Sequence, residues 1–302
     1  MELKTIISNI KSMRVQGAEN VALSAVDALE IVSSGSRAAS VKAFYAELFN
    51  AKKRLIAARP TEPCLANALG FVLHNLNITS VKHMKSHIEL RIHKAREHFS
   101  ESEKAIAEYG ARKIGNKMVV FTHCHSSTVM GILLAAQKQG KSVSVHNTET
   151  RPLLQGRKTA IELAKAGIPV KHFVDNAQRL ALKGVDMVLL GADAVTAEGR
   201  VINKIGSELV AEIAHNFGIP VYICTDSWKF DPHTVFGFDE PIENRGRDEV
   251  WKGAPKAITI MNPAFEIVKP ELVTGIISEL GVYRPETFIE EVKRAYPQII
   301  KN

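Results

Sequence analysis

The sequence predicts an α/β protein in which a helical N-terminal half precedes a doubly wound parallel sheet. Up to about residue 109, apolar residues recur at helical spacing, as they do across residues 21–29. From Lys117 onward, short β-branched runs alternate with helical segments, which is the rhythm of βαβ units. We therefore expect two domains, a helical one at residues 1–112 and an α/β one at residues 113–302.

Prolines and glycines indicate where several of the predicted elements end. In the N-terminal half, Pro60 and Pro63 mark a break between helices. Gly140, Gly167 and Gly218 stand where three later helices are expected to stop. The predicted strands lie at residues 118–122, 142–146, 170–174, 187–191, 221–224 and 257–261. The helices between them are predicted at residues 127–139, 157–166, 177–182 and 206–217.

Composition excludes several classes of protein. The 302 residues are 45% hydrophobic and 24% charged, which is typical of a soluble globular protein. No run of 18 apolar residues and no signal-peptide pattern occur, so neither a membrane partner nor secretion is expected. Three cysteines without paired spacing indicate a reducing, cytoplasmic environment. The net charge of +7 suits an anionic ligand, but few aromatic residues accompany it, which disfavours nucleic acid.

Cys124 stands between His123 and His125 at the end of the first predicted strand. Ser126 and Ser127 follow as good N-cap residues, so the N-terminus of a helix is expected beside the thiol. Its free N–H groups would bind a phosphate, and its dipole would lower the pKa of the thiol. An inert cysteine is the alternative. A metal site is disfavoured because neighbouring strand residues point to opposite faces.

Asp193 ends the fourth predicted strand and is the second candidate, with a turn or helix cap as the alternative. Asn203 and Lys204 follow ten residues later, and Lys229 follows the next strand. A carboxylate beside amide and ammonium groups suits a phosphorylated polyol, although Lys229 could equally be a solvated surface residue. In an open α/β sheet, ligands bind at the carboxyl ends of the strands.

Two further segments are dense in polar groups. Arg59, held before a proline, offers a guanidinium suited to bidentate oxyanion binding, and residues 148–156 follow the second predicted strand. Each segment could be structural, but together they favour an anion site between the two halves. A loose phosphate-loop pattern at residues 135–142 is rejected, because a helix precedes Gly140 and a strand follows it.

These motifs form an ordered set, and the set resembles one superfamily. It unites archaeal ribose-1,5-bisphosphate isomerases, methylthioribose-1-phosphate isomerases and the alpha, beta and delta regulatory subunits of translation initiation factor 2B. The motifs that carry the resemblance are Thr122-His123-Cys124-His125-Ser126, Thr148-Glu149-Thr150-Arg151-Pro152, Gly191-Ala192-Asp193, Asn203-Lys204-Ile205-Gly206 and Trp228-Lys229-Phe230.

The resemblance implies a helical domain on a Rossmann-like domain, assembled as a dimer or hexamer. In the isomerases of this superfamily a cysteine and an aspartate are the catalytic pair, which the regulatory subunits generally lack. This chain keeps both, as Cys124 and Asp193. The resemblance therefore implies an isomerase of the ribose-1,5-bisphosphate branch, which acts on a phosphorylated sugar and needs no cofactor or metal. The alternatives are a methylthioribose-1-phosphate isomerase and a non-catalytic regulatory or binding subunit.

The resemblance also implies a set of substrate-binding residues. They are Gln16, Gly17, Ala18, Arg59, Ser126, Ser127, Gln155, Asn203, Lys204 and Lys229. One of them departs from the pattern of the family, because the isomerases typically show Arg-Gly-Ala where this chain has Gln16-Gly17-Ala18. The backbone can still contribute to phosphate binding there, but the positive charge is missing. Either Arg14 supplies it from another angle, or the affinity for phosphate is altered, or the ligand differs.

Overall fold

The computed structural model describes residues 2–76, 78–239 and 242–300. Met1 and residues 301–302, at the ends of the two predicted domains, lie outside the described residues. The N-terminal half is helical, as predicted. Ser40 and Ser80 begin two of its helices by accepting hydrogen bonds from backbone N–H groups three residues ahead, each at 3.2 Å. Its helices are α1 (Leu3–Lys11), α2 (Ala18–Gly35), α3 (Val41–Ile56), α4 (Pro63–Val72) and α5 (Val81–Lys113).

The C-terminal half contains strands and helices in alternation. The strands are β1 (Val119–Thr122), β2 (Ser144–Thr148), β3 (Val170–Phe173), β4 (Met187–Leu190), β5 (Ala194–Val195), β6 (Val201–Lys204), β7 (Val221–Cys224), β8 (Phe265–Val268), β9 (Gly275–Ser278) and β10 (Gly281–Tyr283). The helices are α6 (Ser127–Lys138), α7 (Gln155–Lys165), α8 (Gln178–Ala181), α9 (Ser207–Asn216), α10 (Arg247–Val250), α11 (Pro285–Ala295) and α12 (Pro297–Ile300).

The main sheet has the strand order β10-β9-β7-β4-β1-β2-β3. All neighbouring pairs are parallel except β9 and β10. From β1 the chain proceeds outward to β2 and β3, whereas from β4 it proceeds in the opposite direction to β7 and β9. The sheet is therefore doubly wound, and its topological switch point lies between β1 and β4.

A second, antiparallel sheet of order β5-β6-β8 lies beyond the carboxyl end of β4. Strands β5 and β6 of this sheet lie between β4 and α9, where the sequence predicted a loop. Asp193 stands between β4 and β5. The backbone N–H of Asp193 donates a hydrogen bond to the carbonyl of Ile202, at 2.8 Å.

The two halves share one hydrophobic core. The same buried cluster contains Leu29 and Leu65 from the helical half and Phe121 and Val188 from the sheet. The amide of Asn67 also crosses between the halves, donating hydrogen bonds of 2.8 and 2.7 Å to two backbone carbonyls near Lys229. Since the core is continuous, the division at residues 112 and 113 stays a prediction about domains.

The predicted fold class is confirmed, and so are five of the six predicted strands, each with boundaries shifted by at most two residues. The glycines at residues 140, 167 and 218 all have positive φ values just past helix ends, as expected. No helix among the described residues is long and apolar enough to cross a membrane.

The predicted strand at residues 257–261 is wrong. This segment is irregular and exposed, with Met261 at 70% exposure, and it pairs with no strand among the described residues. The run of β-branched residues at 258–260 is typical of a strand, but the sixth parallel strand is β9, which begins with a glycine and ends with a serine. Strands β5, β6, β8 and β10 were also not predicted.

Replacing Gly156 by alanine tests the close packing of α7 against the end of β2. A Cβ atom at residue 156 would lie 1.7 Å from the carbonyl oxygen of Thr148. We expect a destabilisation of about 2–3 kcal/mol, because backbone on both sides must move. The readout is the midpoint of urea denaturation. Gly35→Ala is the control, since nothing lies within 4 Å of the added Cβ there. Equal midpoints for the two variants would contradict the packing.

Candidate active site

A pocket of about 250 Å³ lies at the switch point of the sheet. Residues just past β1 and β4 line one side, and the starts of α2 and α4 from the helical half line the other. The structure brings together in this pocket every residue that the sequence singled out as catalytic or substrate-binding: Cys124, Asp193, Gln16, Gly17, Ala18, Arg59, Ser126, Ser127, Gln155, Asn203, Lys204 and Lys229.

Cys124 is held in a left-handed backbone conformation, with φ at 67°. Its N–H donates to the hydroxyl of Thr150 at 2.9 Å, and its carbonyl accepts from the hydroxyl of Thr159 at 2.8 Å. Thr150 is fixed in turn, because its N–H donates to Asp175 at 2.7 Å. A non-glycine residue persists in this conformation only where its surroundings impose it, and such positions concentrate at functional sites.

The expected lowering of the Cys124 pKa is wrong. Burial raises the pKa of this thiol from 9.0 to about 11, while Lys204 and a hydrogen bond from the His125 backbone lower it only in part. The helix that follows does begin as predicted, with Ser126 accepting from the Val129 N–H at 3.3 Å. Loss of hydration therefore outweighs the favourable field of the helix.

Asp193 lies at the end of β4, and burial raises its pKa. Three cations, Lys229, Lys204 and Arg59, act in the opposite direction and do not fully offset the loss of hydration. The protonated form of the carboxyl group is therefore more populated than in a free aspartate. This is the property that a general acid requires.

The two lysines of the pocket are almost fully buried, at 7% exposure for Lys204 and 9% for Lys229. The ammonium group of Lys204 lies 4.6 Å from the centre of the Phe265 ring. Lys229 donates a hydrogen bond of 2.7 Å to the carbonyl of Ala192, directly before Asp193. Both ammonium groups are thus fixed by neutral partners, and their charge is available to an anionic ligand.

The turn that carries Lys229 is held from behind by a buried polar cluster. Asp226 accepts from the N–H of Trp228 at 2.8 Å, which begins the short 3₁₀ helix Ser227–Lys229. His98 approaches Asp226 at 2.9 Å, and Glu279 accepts from the Ser227 N–H at 3.1 Å. The nitrogen and oxygen atoms of His98, Asp226 and Glu279 that could bind a metal ion lie within 4.8 Å of one another. In the described residues, His98 contacts Asp226 and Glu279 contacts Ser227, so the three groups support the turn.

The histidines beside Cys124 have structural partners. Nε2 of His123 donates to the carbonyl of Ile205 at 2.8 Å, and Nδ1 is hydrogen-bonded to the hydroxyl of Thr148 at 2.5 Å. Burial lowers the pKa of His123, so the ring is neutral and Nδ1 accepts. His125 is hydrogen-bonded to Thr159 at 3.0 Å. Both nitrogens of His123 are therefore occupied by contacts that tie β1 to its neighbours.

The segment at residues 148–156, predicted to help form an anion site, acts mainly as support. Thr150 fixes Cys124, and Gln155 lines the pocket at the start of α7. Arg151 does not line it and donates to the carbonyl of Val250 at 2.9 Å. The guanidinium of Arg59, by contrast, does lie in the pocket.

Sequence reasoning missed several pocket residues: Met13, Glu19, Asn20, Glu62, Lys158, Arg245 and Phe265. Glu62 stands three residues after Arg59 and forms an ion pair with it at 3.1 Å, a spacing that could have been noticed. Arg245 gave no local signal. It contacts the Met13 sulfur and lies 3.4 Å from Glu249, so Arg245, and not Arg14, is the guanidinium in this pocket beside the Gln16 segment.

Fold and pocket together define a class: doubly wound α/β proteins with a pocket at the switch point that is lined by a thiol, a carboxyl group and several cations. Within that class, residues 14–285 match the initiation factor 2 subunit family, and the chain belongs to this family.

Several named proteins are similar to the chain. Ribose 1,5-bisphosphate isomerase of Thermococcus kodakarensis is 39% identical over 310 residues, which cover 99% of this chain and 96% of that protein. Methylthioribose-1-phosphate isomerase of Symbiobacterium thermophilum is 33% identical, over 95% of this chain and 85% of that protein. The solved structure of translation initiation factor eIF-2B from Pyrococcus horikoshii has a TM-score of 0.83 at 25% identity, covering 95% of this chain and 98% of that one.

Alkylation by iodoacetamide tests the raised pKa of Cys124. Cys64 and Cys224 are fully buried, so the reaction reports on Cys124, with Cys124→Ser as the background. Because only the thiolate reacts, we expect the rate to rise about tenfold per pH unit from pH 7 to pH 10. Lys204→Met should slow the reaction, because it removes a charge that lowers the thiol pKa. A plateau below pH 9 would contradict the assignment.

Proposed function

We propose that this protein is an aldose–ketose isomerase that converts ribose 1,5-bisphosphate to ribulose 1,5-bisphosphate. The observation that carries the proposal is the pocket at the switch point, which Cys124 and Asp193 line together with Arg59, Lys204 and Lys229. The named relatives supply the substrate, since the protein from Thermococcus kodakarensis matches almost the whole chain. Cytoplasmic location and assembly as a dimer or hexamer belong to the same proposal.

In the proposed reaction, Cys124 is the base and Asp193 is the acid. The thiolate removes the proton from C2 while Asp193 protonates the ring oxygen, so the bond between C1 and that oxygen breaks. This leaves a phosphoenol with a double bond between C1 and C2. The Cys124 thiol then protonates C1, and the Asp193 carboxylate takes the proton of the C2 hydroxyl. Both residues return to their starting forms, and no cofactor is consumed.

The environments of the two groups match these roles unequally. Asp193 has a raised pKa and is suited to donate a proton. Cys124, with a pKa of about 11, is mostly a thiol at neutral pH, and Lys204 is the group that favours its thiolate. The base is therefore weakly populated but strong when formed, which suits abstraction of a proton from carbon.

The remaining pocket residues suit a phosphorylated ligand. The N-terminus of α6, at Ser126 and Ser127, presents backbone N–H groups and the positive end of a helix dipole. Gly17, which has no side chain, opens α2 in the same pocket with φ at 87°. Two helix N-termini and several cations fit a substrate that carries two phosphate groups, held so that C1 and C2 face the reacting pair.

A second candidate reaction is the isomerisation of methylthioribose 1-phosphate. It needs the same chemistry at C1 and C2, and the relative from Symbiobacterium thermophilum is named for it. Assaying the purified protein with both sugar phosphates decides between them. Failure to turn over either one would favour a regulatory or binding role, like that of the initiation factor that the fold resembles.

The variants Cys124→Ser and Asp193→Asn test the catalytic pair. We expect each to reduce turnover of ribose 1,5-bisphosphate by at least about a hundredfold, because each removes one proton-transfer group. Binding of ribulose 1,5-bisphosphate, measured by calorimetry, should remain, since neither substitution removes a cation.

Asp239→Asn is the matched control for Asp193→Asn, because this aspartate is exposed and does not line the pocket. It should retain full turnover. Substantial activity in Cys124→Ser or in Asp193→Asn would refute the role assigned to that residue.

A further inference from the structure

Glu62 is a buried carboxyl group inside the pocket for which the proposed reaction has no use. It is only 4% exposed and stands directly before α4. Its Oε1 atom lies 3.1 Å from Nη2 of Arg59. Its Oε2 atom is buried and has no hydrogen-bond partner among the described residues. A buried carboxylate oxygen without a partner is costly, so its environment favours the protonated form or a ligand that donates to it.

Arg59 is flanked by a second carboxylate. Its Nη2 atom also lies 3.4 Å from Oε2 of Glu243. The guanidinium that is expected to bind an anion is therefore neutralised from two sides. A phosphate group that approaches Arg59 brings its negative charge close to Glu62, and like charges in a buried site repel each other unless one of them is neutralised.

We propose that Glu62 is a proton-linked determinant of anion binding at Arg59. The carboxyl group takes up a proton when a phosphate binds to Arg59, and it releases that proton when the phosphate leaves. Without a bound anion, the ionised form of Glu62 pairs with Arg59. When an anion is bound, neutral Glu62 no longer forms an ion pair with Arg59, so the guanidinium can bind the anion. The protonated carboxyl group can also donate a hydrogen bond to a phosphate oxygen. Only the identity of the anion depends on the proposed function.

The electrostatic surroundings of Glu62 make this proton uptake inexpensive near neutral pH. Burial and repulsion from Asp193 raise the pKa of Glu62 to about 7, with Glu243 adding to the rise and Arg59 and Lys229 opposing it. Near pH 7 the group is therefore close to half protonated. A ligand needs to supply little free energy to complete the protonation.

One further carboxyl group faces the pocket from α2. Glu19 has a raised pKa, mainly because of burial and with a contribution from Glu103. Among the described residues it forms no ion pair with Arg59, whereas Glu62 contacts the guanidinium directly. We therefore expect different results from substituting the two carboxyl groups. Only substitution at residue 62 should change how anion binding at Arg59 depends on pH.

Sulfate binding tests the proposal without turnover. Sulfate keeps both charges between pH 6 and pH 8, so the ligand itself does not titrate. For a group with a pKa near 7, binding that requires protonation weakens about tenfold from pH 6 to pH 8. We expect that loss of affinity for the wild-type protein in calorimetric titrations. Glu62→Gln, which mimics the protonated form, should bind sulfate with nearly equal affinity at both pH values.

Matched variants separate Glu62 from its neighbours. Glu243→Gln removes the other carboxylate of Arg59 and should keep most of the pH dependence, because Glu62 remains. Glu19→Gln should keep it as well. Circular dichroism checks that each variant is folded. The proposal is refuted if Glu62→Gln retains the wild-type pH dependence, if the wild-type protein shows none, or if it does not bind sulfate at pH 6.

Enzyme kinetics add a readout that depends on the proposed function. With ribose 1,5-bisphosphate at pH 8, Glu62→Gln should show a KM about tenfold lower than the wild type, and at pH 6 the two KM values should agree. Absence of turnover in the wild type would refute the proposed reaction and leave the sulfate result unaffected. A change confined to kcat would contradict the role of Glu62 in binding.

Discussion

The site depends on the crevice that opens where β1 and β4 lie side by side and their connections leave in opposite directions. Parallel strands present their carboxyl ends at one edge, so Cys124 and Asp193 reach the same pocket from neighbouring strands without a long loop. The antiparallel sheet of β5, β6 and β8 then returns the chain, and Lys204 at the end of β6 enters the pocket. The starts of α2 and α4 cover the crevice from the helical half, which is why the shared hydrophobic core matters for function.

The helical half that covers the crevice also affects the pKa values of the acidic groups inside it. Removing water from the crevice raises the pKa of every acid that matters there, because the charged form loses hydration. Asp193 and Glu62 become better proton carriers as a result, while Cys124 becomes harder to ionise. A single physical cause thus favours the proposed acid and disfavours the proposed base. Lys204, which lies over an aromatic ring, partly offsets the effect on the base because it lowers the pKa of Cys124.

Sequence reasoning succeeded where the signal is local. Residues that directly follow a buried apolar run lie at strand ends, and this placed Cys124 and Asp193 in the pocket. The strand predicted at residues 257–261 was wrong because a β-branched run shows that a segment could form a strand, but not that a neighbouring strand is present to pair with it. Glu243 was missed because it contacts Arg59 from 184 positions away in the chain. Glu62 was missed although it stands only three residues after Arg59, because that spacing does not reveal that the pair is buried in the pocket. The rise in the pKa of Cys124 was missed because the burial that causes it cannot be deduced from the neighbouring residues in the sequence.

The cations of the pocket fall into two kinds, and this bears on the loss of charge at Gln16. Lys204 and Lys229 contact an aromatic ring and a backbone carbonyl, and neither is in an ion pair with a carboxylate among the described residues. Arg59 and Arg245 are each paired with carboxylates. An anion at the lysines has no ion pair to break, whereas an anion at the arginines must displace or protonate a carboxylate first. Since no arginine stands at residue 16, affinity on that side depends on neutralising a carboxyl group rather than on adding a cation.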